Sequence, residues 1–116
     1  MSVIAYPVPV TPNDDGDDLS TVRAAGCKLV GVKVEMGSLT AMDLAITDEP
    51  SGTELLTLTA VDADGVYQPA AAMADPSDGS ALAGAFAVPV VFGRIQVAIA
   101  NGDAGETGEI TLLVER

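Results

Sequence analysis

Acidic side chains are the residues of this sequence that could do chemistry, and they cluster in short runs. Asp14, Asp15, Asp17 and Asp18 follow one another closely. Carboxylate oxygens are the ligands that Ca²⁺ prefers. The calcium loop of EF-hand proteins needs a glutamate at its twelfth position, which is Ala25 when counted from Asp14. We therefore expect a solvated acidic hinge, with Ca²⁺ binding as the alternative.

The sequence contains no complete set of catalytic residues. The chain has no histidine and one cysteine, Cys27, so a thiol nucleophile lacks an imidazole base. Asp62 and Asp64 flank a turn, where acidic residues are common. The glycine-rich segment 101–108 lacks the Lys-Ser/Thr pair of a phosphate-binding loop. We predict that the protein is not an enzyme and holds no cofactor or metal.

The overall charge excludes two classes of partner. Seventeen acidic and five basic residues give a net charge of -12. Nucleic acids and anionic membrane surfaces attract clustered cations, so we expect neither as a partner. No apolar run approaches the ~20 residues of a membrane span. The first residues lack the basic start and long apolar run of a signal peptide.

Residues 1–18 are predicted to form an extended proline-rich arm and the acidic hinge. Prolines at positions 7, 9 and 12 fix φ and lack a donor, which limits the segment to extended geometry and at best an edge strand. A disordered tail is the other possibility. Because the segment is apolar, which is unusual for disorder, we expect it to dock on a neighbouring subunit. The expected contact residues are Val3, Ile4, Tyr6, Val8 and Val10.

Alternating apolar and polar residues predict that residues 19–116 form a single β domain. The alternation is found at residues 27–36, 41–48, 54–61, 92–100 and 109–115. We expect a further strand at 81–87, turns at 49–52 and 62–65, and a short helical turn at 19–25. The fold class is therefore predicted to be all-β: an antiparallel β-sandwich or barrel, jelly-roll-like, with the extended N-terminal arm.

Two segments are singled out beyond this pattern. Residues 92–116 are predicted to be a hairpin of two core strands joined by the glycine-rich loop 101–108. Residues 67–80 contain two prolines and predict a long loop, and long loops in compact domains are often functional. Tyr67, Gln68 and Met73 of this loop are the second set of expected partner-binding residues.

Four segments resemble a recurring layout of small virion proteins from the head-gene cluster of tailed bacteriophages. They are Asp43-Leu-Ala-Ile-Thr47, Gly52-Thr-Glu-Leu-Leu56, Tyr67-Gln-Pro-Ala70 and Gly93-Arg-Ile-Gln-Val-Ala-Ile-Ala-Asn-Gly102. The resemblance implies a structural role on the capsid or neck, and it carries over no catalytic residues. We expect a decoration or cement protein on the capsid exterior, because like charge keeps an acidic protein away from packaged DNA.

The resemblance also sets expectations for partners and location. The partner would be the major capsid protein, and the chain would form a homo-oligomer, with a trimer favoured. It would be made in the cytoplasm of the bacterial host and end in the virion. Two alternatives stay open: a head–tail connector, neck or tail protein, and an acidic Ca²⁺- or carbohydrate-binding β-sandwich that uses loops 13–18 and 101–106.

Overall fold

The computed structural model is built from strands. It describes residues 3–24, 26–69, 71–74, 81–87, 91 and 93–115, with the backbone alone for 71–74 and 81–87. Within these ranges no helix has the length and apolarity that a membrane crossing requires. The strands are β1 Val3–Val10, β2 Asp18–Arg23, β3 Lys28–Glu35, β4 Met42–Asp48, β5 Thr53–Val61, β6 Gly65–Tyr67, β7 Ala71–Ala74, β8 Ala81–Ala87, β9 Arg94–Ala100 and β10 Gly108–Glu115.

Eight of the strands form two antiparallel four-stranded sheets. Their orders are β1-β10-β3-β6 and β2-β9-β4-β5, and β1 lies against β2 where the sheets face each other. Successive strands pass from one sheet to the other, except at the β4–β5 hairpin. This is the strand order of a jelly roll. The predicted all-β, jelly-roll-like sandwich is therefore confirmed, as two sheets rather than a closed barrel.

The core lies between the two sheets and is filled by aliphatic side chains. Each strand turns every second residue inward, and burying one such large side chain contributes roughly 1.5–3 kcal/mol. The largest fully buried side chains are those of Leu29, Met42, Leu44, Ile46, Ile95, Ile110, Leu112, Val10, Val32, Val34, Val91 and Val97.

The predicted hairpin over residues 92–116 is wrong in its pairing. β9 lies between β2 and β4, whereas β10 lies between β1 and β3 of the other sheet. Residues 101–107 cross the gap between the sheets, which is roughly 10 Å wide in stacked sheets. Alternation identified both strands and their buried faces correctly, but it carries no information about which strand lies alongside. The 62–65 turn likewise crosses between sheets, from β5 to β6.

The predicted N-terminal arm is not confirmed, because its apolar part is an integral strand. β1 pairs with β10 along all eight of its residues. Pro7 and Pro9 are tolerated because β1 is an edge strand. A proline there loses no ladder hydrogen bond when its nitrogen faces the open side. Residues 3–10 form an edge strand, which the prolines were expected to allow.

The helical turn predicted over residues 19–25 is also wrong. Asp18–Arg23 form β2, which pairs with β9 from Asp18 opposite Ile99 to Arg23 opposite Arg94. Pairing with a neighbouring strand overrides a local capping signal, since helix propensity is a weak prior for six residues.

β7 and β8 form a separate two-stranded ribbon. Ala71 lies opposite Ala87 and Ala74 opposite Ala81, and the ribbon pairs with neither four-stranded sheet. The strand expected at 81–87 is thus confirmed, while the loop expected at 67–80 contains the end of β6 and all of β7. Residues 75–80 and 88–90 lie outside the described residues.

Candidate interaction surface

The strand directions place each connection at one of the two ends of the sandwich. One end, here called the acidic end, holds the connections 11–17, 36–41, 62–64 and 101–107. The opposite end holds the connections 24–27 and 49–52, together with Val3 and Glu115. The chain also leaves the sandwich there after Tyr67 to form the ribbon, so we call it the ribbon end.

Charge is distributed unevenly between these two ends. Eleven of the 17 acidic residues lie in or beside the connections of the acidic end, and Lys33 of β3 is the one described cation near them. Arg23, Lys28 and Arg94 lie at the ribbon end, where Arg94 contacts Glu49 at 3.0 Å. The eleven acidic residues are Asp14, Asp15, Asp17, Asp18, Glu35, Asp43, Asp62, Asp64, Asp103, Glu106 and Glu109.

Asp103 fastens two connections of the acidic end to each other. Its Oδ2 accepts hydrogen bonds from the Thr40 hydroxyl at 2.6 Å and from the Thr40 backbone N–H at 2.8 Å. The Thr40 hydroxyl first, and the Thr40 N–H second, lower the pKa of Asp103 below its ordinary value. A charged carboxylate is thus used to join loop 36–41 to loop 101–107.

Asp43 performs a similar role for two residues with left-handed backbone. Ala60 and Asn101 both have a φ of 54°, which costs a residue with a Cβ roughly 1–2 kcal/mol. The Ala60 N–H donates to Asp43 Oδ1 at 2.8 Å, and the Asn101 amide donates to Oδ2 at 2.7 Å. These bonds, the Ala60 N–H before the Asn101 amide, lower the pKa of Asp43. The carboxylate therefore offsets part of the backbone strain.

The acidic run 13–18 is organised as a turn. Asn13 Oδ1 accepts the N–H groups of Asp15 and Asp17, at 2.9 and 3.1 Å. Asp18 Oδ2 accepts the Thr11 N–H at 2.9 Å. Among the residues that the structure describes, no group of three acidic, cysteine or histidine side chains is arranged to hold a metal ion. The Ca²⁺ alternative gains no ligand cage from this loop.

The second acidic pair also has a structural use. Asp64 Oδ1 accepts the Met36 N–H at 2.7 Å, which ties connection 62–64 to the end of β3. Asp62 is exposed. We find in this pair no shared geometry of the kind that acid–base catalysis needs.

Backbone hydrogen bonds fasten the base of the ribbon. The Gly26 N–H donates to the Val91 carbonyl at 2.9 Å, and the Val91 N–H donates to the Cys27 carbonyl at 2.8 Å. The Ala24 N–H donates to the Gly93 carbonyl at 3.0 Å. Cys27 itself is buried, as expected for a small apolar side chain. These bonds hold Val91 and Gly93, which lie between the ribbon and β9 in the chain, against connection 24–27.

The structure divides the first set of expected partner-binding residues. Val8 and Val10 lie in the core, where they cannot contact a partner while β1 stays paired. Ile4 and Tyr6 are partly buried and pack against the core. Val3 has 58% of its surface exposed and lies at the ribbon end. Of this set, Val3 is the residue most open to contact.

The second set lies along the opposite side of the sandwich, because β6 and β1 are the two edges of one sheet. Tyr67 is partly buried against the core, and Gln68 is exposed. Met73 belongs to β7, and its side chain lies outside the described residues. Val3 and Gln68 thus share the ribbon end but sit at different edges.

The edge of β5 that faces away from β4 was not predicted from the sequence. Gln68 forms an open cleft of about 350 Å³ there with residues 54–57. A second open cleft, about 450 Å³, lies beside Lys33, Glu35 and Asp64. No sequence signal marks β5 as an edge strand, since that depends on the order of strands in the sheet.

No protein-family model matches this chain, and no curated protein matches it.

Proposed function

We propose that the protein is a structural component of a tailed-bacteriophage virion, a decoration or cement protein that binds the major capsid protein on the outer surface of the shell. The ribbon end faces the shell and the acidic end faces outward. The observation that carries this proposal is the uneven charge of the two ends. Eleven acidic residues lie at the acidic end, whereas at the ribbon end Arg23, Lys28 and Arg94 largely balance the described acidic residues Asp48, Glu49, Glu54 and Glu115.

Two further features support the virion role. The first is the position of the four segments that resemble head-cluster virion proteins, which lie on β4, at the start of β5, at the end of β6 and on β9. They therefore include the strands that precede and follow the ribbon in the chain. The second feature is the fold, because jelly-roll sandwiches are found in viral capsid proteins, as well as in lectins. This is an analogy, since a fold alone does not determine function.

The orientation follows from what each end offers a partner. At the acidic end Asp43, Asp64 and Asp103 already accept hydrogen bonds from neighbouring connections, and burying their charges against a surface would be costly. The ribbon end offers exposed Val3 and the uncharged strands of the ribbon. Apolar and uncharged groups are the ones that an interface can desolvate at low cost.

Two lysines on one strand allow a matched test. Lys28 and Lys33 are both exposed on β3, but Lys28 lies at the ribbon end and Lys33 toward the acidic end. We expect Lys28→Glu to weaken binding to emptied capsids of the phage that encodes the protein by roughly tenfold, equivalent to about 1.4 kcal/mol. Lys33→Glu makes the same charge change and should leave binding within about threefold of the wild type.

Co-sedimentation of the labelled protein with emptied capsids measures both variants. If wild-type protein does not bind capsids, the virion role on the shell is wrong. If Lys33→Glu weakens binding and Lys28→Glu does not, the orientation is wrong. Quantitative mass spectrometry of virions then separates decoration from a neck or tail location, since a decoration protein accompanies the many copies of the capsid protein and a neck ring does not.

A further inference from the structure

The sandwich has four edge strands, and two of them carry features that hinder pairing with a further strand. On β1, Pro7 and Pro9 replace two N–H donors that would face the open side, a common way to protect a sheet edge. On β2, the outward N–H of Leu19 is taken by the Asp18 carboxylate at 2.9 Å. β6 has three residues and offers little length for pairing. β5, with nine residues, is the longest of the four.

Backbone directions show that Thr57 of β5 turns its N–H and carbonyl to the side where no described strand pairs with β5. The Glu49 N–H donates to the Arg94 carbonyl at 2.8 Å. Successive residues of a strand direct their backbone groups to opposite neighbours, so odd-numbered residues of β4 face β9. Thr57 lies opposite Ala45. The N–H and carbonyl of Thr57 therefore point away from β4, toward the cleft beside Gln68.

The strands of the ribbon could supply the partner that β5 lacks. β7 and β8 pair with each other and with no other described strand, and an isolated two-stranded hairpin is marginal in water. Each of the two strands has one side without a partner. β8 has seven residues, Ala81–Ala87, and all of them are uncharged. The part of β5 that pairs regularly with β4, residues 56–58, is shorter, so β8 would be anchored around Thr57.

We propose that the open edge of β5 accepts strand β8 from the ribbon of a second copy of this chain. This contact is a β-augmentation, in which backbone hydrogen bonds supply the affinity. Because the donor and acceptor surfaces differ, copies join head to tail, and a rotation between them closes a ring such as a trimer. The contact forms in solution and does not depend on the virion role.

Charge favours a second copy at this edge. Two chains of charge -12 repel, so they can meet closely only where charges are absent. Residues 55–61 of β5 and 81–87 of β8 contain no charged residue. The same stretch of β5 contains no proline or glycine, and its one residue with a positive φ is Ala60. Both uncharged strands are edge strands of their sheets.

A substitution at Thr57 tests the backbone contact directly. Thr57→Pro removes the outward N–H and leaves the bonds to β4 in place, because the residue faces away from that strand. Thr57→Val is the matched control, since it keeps the N–H and the shape. In sedimentation-equilibrium measurements, we expect Thr57→Pro to weaken self-association by at least about tenfold and Thr57→Val to stay close to the wild type. A monomeric wild type, or a Thr57→Pro variant that associates equally well, would overturn the proposal.

Cysteine pairing supplies a second test that does not depend on Thr57→Pro folding. Directly opposed residues of neighbouring strands have Cβ atoms within reach of a disulfide. Protein carrying Thr57→Cys is mixed with protein carrying Ala83→Cys or Ala85→Cys and oxidised. We expect a covalent dimer that contains one chain of each kind, and wild-type protein, which has buried Cys27, is the control.

The double variant Thr57→Cys/Ala85→Cys tests whether the ribbon instead pairs with β5 of its own chain. If it forms a disulfide within one chain while the mixture forms none, the ribbon folds onto its own β5 and the proposal is wrong. If neither forms a disulfide, β8 does not lie beside β5 at all, which is equally contradictory.

Discussion

Individual carboxylates in this protein act as acceptors that join connections. Asp43, Asp64 and Asp103 each accept a backbone N–H from a connection or strand remote in sequence. Hydrogen bonds to a charged acceptor are stronger than those between neutral groups. The high acidity of the chain therefore contributes to the order of one end of the sandwich, besides keeping the protein soluble.

The charge on Asp103 makes stability depend on pH. Its pKa in the folded protein lies below the ordinary value of 3.8, so its stabilisation is complete above that value and is lost as the pH falls through the lowered pKa. Asp103→Asn should melt at a lower temperature than the wild type at pH 7, and the difference should vanish at strongly acidic pH. Melting curves across pH measure this, with Glu106→Gln at the same loop as the control.

Gly37 is required by both its backbone angle and its surroundings. Its φ is +57°, and a Cβ there would overlap the Thr107 carbonyl oxygen. Gly105 also has a positive φ, of +78°, but its Cβ would meet no atom within 4 Å. We expect Gly37→Ala to lower the free energy of unfolding by roughly 2–4 kcal/mol and Gly105→Ala by about 1 kcal/mol. Urea titration of both variants checks this, and equal losses would contradict it.

At the scale of single residues, the sequence shows which side chains are acidic but predicts few of the contacts that they make. In the acidic run 13–18, expected to be a hinge with Ca²⁺ binding as the alternative, residues 13–17 form a turn and Asp18 begins β2. The bond from Asp43 to Ala60 could not be predicted, because it joins residues 17 positions apart through strands whose pairing was unknown. Such contacts depend on tertiary structure.

At the scale of elements, the edges of the sheets differ in how they are protected. β1 carries Pro7 and Pro9, β2 uses the Asp18 side chain at one N–H, β6 is short, and β5 pairs irregularly with β4 at two points. Exposed edges pair with other strands. The proposed association uses the part of β5 around Thr57, which lies between its two irregular points.

Removing the prolines of β1 should open a second edge. We expect the double variant Pro7→Thr/Pro9→Thr to form larger assemblies than the wild type in sedimentation velocity, because two outward N–H groups are restored. The same change should lower stability by roughly 0.4–1 kcal/mol per proline through the greater freedom of the unfolded chain. Ala5→Thr, at an exposed position of the same strand, is the control and should leave the assembly size unchanged.

Strand positions and faces were largely predictable at this scale, because each follows from alternation along a few residues. Strand partners were not. The hairpin predicted at 92–116 failed, while the β4–β5 hairpin around 49–52 was found as expected. Connection length does not decide the partner, because the short connections 24–27 and 62–64 cross between the sheets whereas 49–52 joins two neighbouring strands of one sheet.

At the scale of the whole molecule, the fold collects most of the acidic residues at one end of the sandwich. The extents of 48 × 29 × 24 Å give it a long axis. Four connections bring acidic residues from positions 14 to 109 together at the acidic end, and this gathering could not be seen in the sequence without the strand directions. The expected contact residues Val3 and Gln68 are exposed at the other end, while Val8 and Val10 became core residues.

A cryo-electron microscopy reconstruction of emptied capsids incubated with the protein tests the central proposal most directly. The account predicts density on the outside of the shell in which the sandwich contacts the capsid protein through the ribbon end, with the acidic end pointing outward and neighbouring copies joined from ribbon to β5. Capsids without added density, or copies attached through the acidic end, would contradict it.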